Sequence, residues 1–404
     1  MRIILAMWVV LYHHISPDSM LGPYMAYLPR PLFSLVATGY SAVGIFFVLS
    51  GFILAINYPL AERWGESQSI RFGIARLARI YPVYLLGLSL SIPVKHLIHH
   101  PAVEGVRGLL NFSLLQSWWP PALGNGGGVW NPPGWSLSNE AFFYLIFPVA
   151  GVLLWRISRL RTLLMTIGLL WASAMAAPLL TVPLHLHTLC ISAIAPTSHS
   201  FALDFVRYDP LLRLPEFLMG VTSARVYTII RHSLQGKGMW LYLPALASML
   251  ITVTHGDSFL YPVMHNGLVA PFTSCIKVGL ALGGGWLCRL LSTRPMVFLG
   301  GASYAVYVLH RPIDMWLERL HLPWYRGLIG MAFYVFAVVS LSSLAFKYLE
   351  EPANLWLKKK LGAWINTRKA AGHEPSSDLQ AQSIPMIDSA VPRFAADCAP
   401  LSAP

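Results

Sequence analysis

The chain has 404 residues, 55% of them hydrophobic and 11% charged, with a formal net charge of +12 and a mean hydropathy of +0.56. Soluble domains carry about 25% charged residues, so this composition excludes a soluble globular fold and requires lipid around the outer surface. The basic excess lies in short loops between apolar runs, so membrane topology explains it and no nucleic-acid partner is expected.

A membrane span takes about 20 mostly apolar residues. Ten runs approach that, at roughly 2–16, 32–56, 80–97, 141–155, 162–180, 212–230, 239–254, 268–288, 296–316 and 327–347. The expected fold is all-α, a polytopic transmembrane bundle of about ten helices within residues 1–353. A polar Ser/Ala/Pro-rich cytoplasmic tail follows at 354–404 and is expected to be disordered. The first run lacks a small-residue cleavage site and reads as a retained helix rather than a signal peptide. With the N-terminus inside, the inner loops hold twelve Arg and Lys residues and the longer outer loops eight. That asymmetry places both termini in the cytoplasm. The loop between the ninth and tenth runs, with Arg311, Arg319 and Arg326 in it or at its edge, runs against the rule. Two outer loops are long: 98–140, rich in Gly, Pro and Trp, and 181–211, which carries His185, His187 and His199. Long loops in compact proteins often carry function.

Four cysteines, Cys190, Cys275, Cys288 and Cys398, form no C-x-x-C and no zinc spacing. Cys275 and Cys288 fall in one apolar run and read as small fillers. No metal site is expected.

Arg2 and His13 are eleven residues apart, which puts them within about 20° of one helix face and about 16 Å apart along the axis. A histidine that deep needs the bundle interior or a polar cavity, and there it is a natural general base. Spacing alone equally allows His13 and His14 to cap a short helix. Arg76 and Arg79 share the face of the third helix and form a fork for phosphate or carboxylate, or else a positive-inside flank. Glu140 opens the fourth helix in WSLSNEAFFYLIFPV. It complements the helix dipole, with Ser136 or Ser138 as cap, or it orients a base or an acceptor hydroxyl. Lys277 lies mid-run and needs a partner, for which Glu216 is a candidate. Tyr304, Tyr307 and His310 follow at three-residue steps and spread over about 120° of surface.

In their order along the chain these pieces resemble the acyltransferase 3 family. They are Arg2-x10-His13, VGIFFVLSGFILA at 43–55, Arg76-x-x-Arg79-Ile-Tyr-Pro, WSLSNEAFFYLIFP, RLPEFLMG at 213–220, GGASYAVYVLHRPI at 300–313 and YLEEPA at 348–353. The resemblance covers residues 2–353. Family members usually carry several residues before the first Arg, so an upstream start is expected.

The resemblance implies a bacterial inner-membrane O-acyltransferase. It would take an acyl group from cytoplasmic acyl-CoA, most often acetyl-CoA, and pass it to a hydroxyl of a carbohydrate or lipid-linked sugar in the envelope or exopolysaccharide. His13 maps onto the family's catalytic His, Arg2 onto its partner, and Arg76 and Arg79 onto the donor-binding element. Glu140 would orient His13 or the acceptor. The reading from another class is a transporter or flippase of lipid-linked sugar. Neither an inverted repeat nor a series of charges deep in several spans supports that reading.

Overall fold

The computed structural model describes residues 1–58, 60, 64–93, 101–119, 129–181, 201–322, 324–357 and 359–360. His185, His187, His199 and nearly all of the tail lie outside the described residues. Among the described residues every regular element is helical and there is no strand.

The helices that position the site are α1 (Arg2–Tyr12), α2 (Arg30–Ala37), α3 (Ala42–Asn57), α4 (Glu66–Ser91), α5 (Pro101–Phe112), α6 (Gly134–Trp155), α7 (Leu160–Leu180), α8 (Phe201–Tyr208), α9 (Pro210–Leu234), α10 (Met239–Thr254), α11 (Ala270–Leu282), α12 (Arg294–Arg319) and α13 (Leu328–Ala345). A five-residue π turn, Phe346–Glu350, follows α13. Among the described residues, four helical stretches are long and apolar enough to cross a membrane by length and composition: Arg30–Asn57, Gly134–Trp155, Leu160–Leu180 and Leu328–Leu357. Helices α4, α9 and α12 are 25 or 26 residues long. They fall outside that set although α9 and α12 bury charged side chains such as Arg213, Glu216 and Asp314, and α4 buries Arg76. Those inward charges lower the hydropathy of the helices that carry the chemistry.

Two of the expected runs are broken. The run 32–56 divides at a 3-10 turn, Gly39–Ser41. The Thr38 hydroxyl donates to the Ser34 carbonyl at 2.8 Å and the Ser41 hydroxyl to the Thr38 carbonyl at 2.7 Å, which offers the backbone an alternative to a straight helix. The run 268–288 stops at Leu282, because Gly283, Gly284 and Gly285 all adopt positive φ, at 74°, 93° and 82°. Cys275 and Cys288 therefore sit on separate elements, the first exposed and the second buried.

Helix α3 runs through the centre, packed against α9, α1 and α11. Its glycines explain its composition. A Cβ on Gly51 would collide with the Phe217 carbonyl, and one on Gly220 with the Val48 carbonyl. The two backbones touch, a contact that small residues permit in membrane bundles. Phe143 stacks on Phe217 at 5.0 Å and meets Phe47 edge-on at 5.1 Å, which ties α6, α9 and α3 together. Such pairs contribute about 0.5–1.5 kcal/mol each beyond their area. Leu145, Leu169 and Phe336 are exposed on α6, α7 and α13, as a lipid-facing surface requires. At the N-terminal end of the Arg30–Asn57 stretch, Arg30 Nε donates to Oδ2 of Asp257, a residue outside the spans, at 2.6 Å, and this hydrogen bond holds the Asp257 carboxyl below the usual carboxylate range.

Candidate functional site

Most of the polar residues singled out in the sequence gather at two stations along α1, where it packs between α12 and α3. Arg2 occupies one end. It lies within electrostatic reach of Arg79 from α4, Glu140 and Tyr144 from α6, and Glu350 from the π turn. Arg79 stands 3.8 Å from Glu350, which is 2% exposed. The π turn widens the helix locally and turns Glu350 inward, and such turns recur at functional positions. Arg76, 9% exposed, lies over the Tyr58 ring at 5.4 Å and the Phe72 ring at 6.0 Å. Burial against aromatic faces suits a guanidinium better than an ammonium. Arg76 and Arg79 thus differ in setting: one packs on rings, the other faces a carboxylate.

His13 lies at the other end, as the C-cap of α1. Its ring is 5.1 Å from that of His310 on α12, centroid to centroid. His13 keeps part of its surface open, whereas His14 and His310 are buried. His310 Nδ1 is 2.7 Å from the Tyr307 carbonyl, and the Tyr334 hydroxyl donates to the His310 carbonyl at 2.9 Å. His14 Nε2 stands 3.9 Å from Asp314, which is also bonded to Arg311 and accepts from the Tyr325 hydroxyl at 2.9 Å.

Glu140 and Tyr307 join the two stations. Glu140 acts electrostatically on Arg2, Tyr144, Tyr304 and Tyr307. The Tyr307 and Ser136 hydroxyls are 2.8 Å apart, and the Tyr307 ring is 6.1 Å from that of His310. The file therefore runs from Arg76 and Arg79 through Arg2 and Glu140 to Tyr307, His310 and His13. The wide angular spread of Tyr304, Tyr307 and His310 has a simple cause, because each meets a different neighbour. Tyr304 donates to the Ile80 carbonyl at 2.6 Å and locks α12 to α4, Tyr307 meets α6, and His310 meets α1.

Two expectations are corrected. Glu216 pairs with Arg213 of its own helix at 3.0 Å, and Lys277 instead donates to Met1 Sδ at 2.7 Å. The three-residue spacing of Arg213 and Glu216 on one helix makes that pair local, whereas Lys277 sits on α11. Neither Ser136 nor Ser138 caps α6. Ser136 donates to the Pro133 carbonyl at 2.9 Å, and Ser138 accepts from the Ser117 amide at 3.3 Å. Glu140 lies at the Arg2 end of the file, within electrostatic reach of Arg2 and Tyr144. Arg2 is a helix length away from His13. Sequence reading missed Glu350 and Tyr144. Glu350 could have been noticed as the first of two adjacent acids in YLEEPA. Tyr144, one turn after Glu140, carried no signal beyond that spacing. Among the described residues no group of three or more His, Cys, Asp or Glu is placed to hold a metal ion.

The family model described as an acyltransferase domain matches residues 1–347. The acyltransferase MdmB of Streptomyces mycarofaciens is 28% identical over 300 residues, 72% of this chain and 72% of that protein. The peptidoglycan O-acetyltransferase OatA of Listeria monocytogenes is 24% identical over 377 residues, 83% of this chain and 57% of that protein. The O-acetyltransferase OatA of Staphylococcus aureus is 20% identical over 361 residues, 81% of this chain and 56% of that protein. The chain thus spans little more than half the length of the two OatA proteins. No solved structure matches it.

Proposed function

The chain belongs to the acyltransferase 3 family, and from that premise we propose that it moves an acetyl group from cytoplasmic acetyl-CoA to a hydroxyl of an envelope or exopolysaccharide sugar in the bacterial inner membrane. The reading carries both termini on the cytoplasmic side. The observation that supports it best is the polar file from Arg76 and Arg79 to His13. It suits a donor whose phosphates stay at one end while its thioester reaches an acceptor at the other.

A thioester is already activated, so the reaction needs a base for the acceptor and stabilisation of the oxyanion. His13 takes the proton from the acceptor hydroxyl as its oxygen attacks the thioester carbonyl. The C–S bond then breaks, and the departing thiolate receives that proton. His13 is suited to this task because its surface is partly open where His14 and His310 are covered. Arg76 and Arg79 bind donor phosphates, with Glu350 setting the direction of Arg79. Glu140 and Arg2 hold the passage between them polar.

The test uses purified protein in proteoliposomes, given labelled acetyl-CoA and envelope polysaccharide. Base-labile label on the polysaccharide is the expected result, with weakened acetyl-CoA binding in Arg76→Ala and Arg79→Ala. Sugar translocation without ester formation would support the transporter reading and overturn this one.

A further inference from the structure

His310 takes no part in the mechanism above. It is 0% exposed, at the centre of α12. Its Nδ1 lies 2.7 Å from the Tyr307 carbonyl oxygen. A carbonyl only accepts, so Nδ1 carries the ring proton and Nε2 presents a lone pair. That Nε2 is buried and has no hydrogen-bond partner among the described residues. A buried acceptor without a donor costs about 1–3 kcal/mol. The side chain whose ring faces His310 and also reaches the open part of the site is His13.

We propose that His310 is a positioning residue for His13: its Nε2 accepts a hydrogen bond from one His13 ring nitrogen and leaves the other free to take the acceptor's proton. Ring centroids 5.1 Å apart allow facing nitrogens to approach to about 3 Å, a hydrogen-bond distance. A base held in one tautomer by a third group is the logic of catalytic triads. Here the third group is a neutral imidazole fixed by a backbone carbonyl.

His14 is the other nearby histidine, but its ring lies edge-on to Tyr334 at 4.6 Å and its Nε2 faces Asp314. Arg311, also nearby, is engaged by Asp314. The three histidines therefore divide: His14 belongs to the Asp314 group, and His310 to His13.

The inference rests on His13 as base, so the test separates the two. Turnover and the KM for acetyl-CoA and acceptor are measured for H13A, H310F, H310Q and H13A/H310F. H310F is expected to lower kcat about 100-fold with both KM values within about twofold, as a misplaced catalytic group does. H310Q can donate to the Tyr307 carbonyl and accept from His13, so it recovers most of the loss. H13A and H13A/H310F should be equally slow, because His310 acts only through His13. Equal loss in H310Q and H310F with native melting curves would overturn the proposal. So would an H310F defect that multiplies with that of H13A, or one confined to acceptor KM. If H310F fails to fold, H310Q near wild-type kcat supports the role, and H310Q as slow as H13A contradicts it. Full activity in H13A would instead sink the reading of His13 itself.

Discussion

Arg2 and His13 share one helix, yet they keep separate company. Arg2 lies with Arg79, Glu140 and Glu350, while His13 faces the His310 ring at 5.1 Å. The eleven-residue spacing marks the two ends of one polar file rather than a contact pair. Each end then has its own chemistry, and each makes its own prediction.

The Ser136–Tyr307 hydroxyl pair, 2.8 Å apart and buried, ties α6 to α12 one turn before Glu140. A double-mutant cycle with Ser136→Ala and Tyr307→Phe should give a coupling of about 1 kcal/mol in unfolding free energy. Strict additivity would show that the two hydroxyls do not depend on one another.

Backbone contact between α3 and α9 has no room for side chains at Gly51 or Gly220. Replacing either by Leu should cost at least about 3 kcal/mol, the upper range for overpacking, because carbonyl oxygens cannot rotate away. Size-exclusion chromatography and thermal melting read the outcome. A Gly51→Leu protein with native melting behaviour would mean that the helices stand further apart.

Lys277 buries an ammonium against α1, with Met1 Sδ as its hydrogen-bond acceptor and Arg2 a like charge within reach. A thioether compensates a buried charge poorly. Lys277→Met should raise the melting temperature, by the equivalent of about 1–3 kcal/mol. A lower melting temperature would reveal an anionic partner supplied by the bound donor or by lipid.

Asp257 lies outside the spans and pairs with Arg30, the largely exposed first residue of the Arg30–Asn57 stretch, so Asp257→Asn should cost less than about 1 kcal/mol. Arg30 depresses the Asp257 pKa. Its contribution is therefore present above the ordinary aspartate range and lost as pH falls through the folded value. The melting difference between wild type and Asp257→Asn should close below about pH 4. A difference constant down to pH 3 would remove the ion pair as its cause.

Much of the architecture was legible because hydropathy reports lipid contact directly. The helical class, the start of α1, and the extents of α7, α10 and α13 follow from apolar runs. Breaks within runs were not legible where local backbone chemistry made them, at Thr38–Ser41 and at Gly283–Gly285. At the site, periodicity placed Arg76 with Arg79 because both lie on one helix. It could not pair residues on different helices. Lys277 needs a partner by its depth and Glu216 is a candidate by charge alone, whereas Arg213 stands three residues from Glu216 and takes it. Glu350 was hidden for a different reason: a π turn changes the angular step, so its inward direction does not follow from helical spacing.

The most direct measurement is the rate of acetyl transfer from acetyl-CoA by His13→Ala, in protein shown to melt like the wild type. A base withdrawn from the acceptor should lower that rate by about 10²–10⁴-fold, the range for general-base catalysis, with acetyl-CoA binding retained. Transfer at the wild-type rate would contradict the placement of the chemistry at His13.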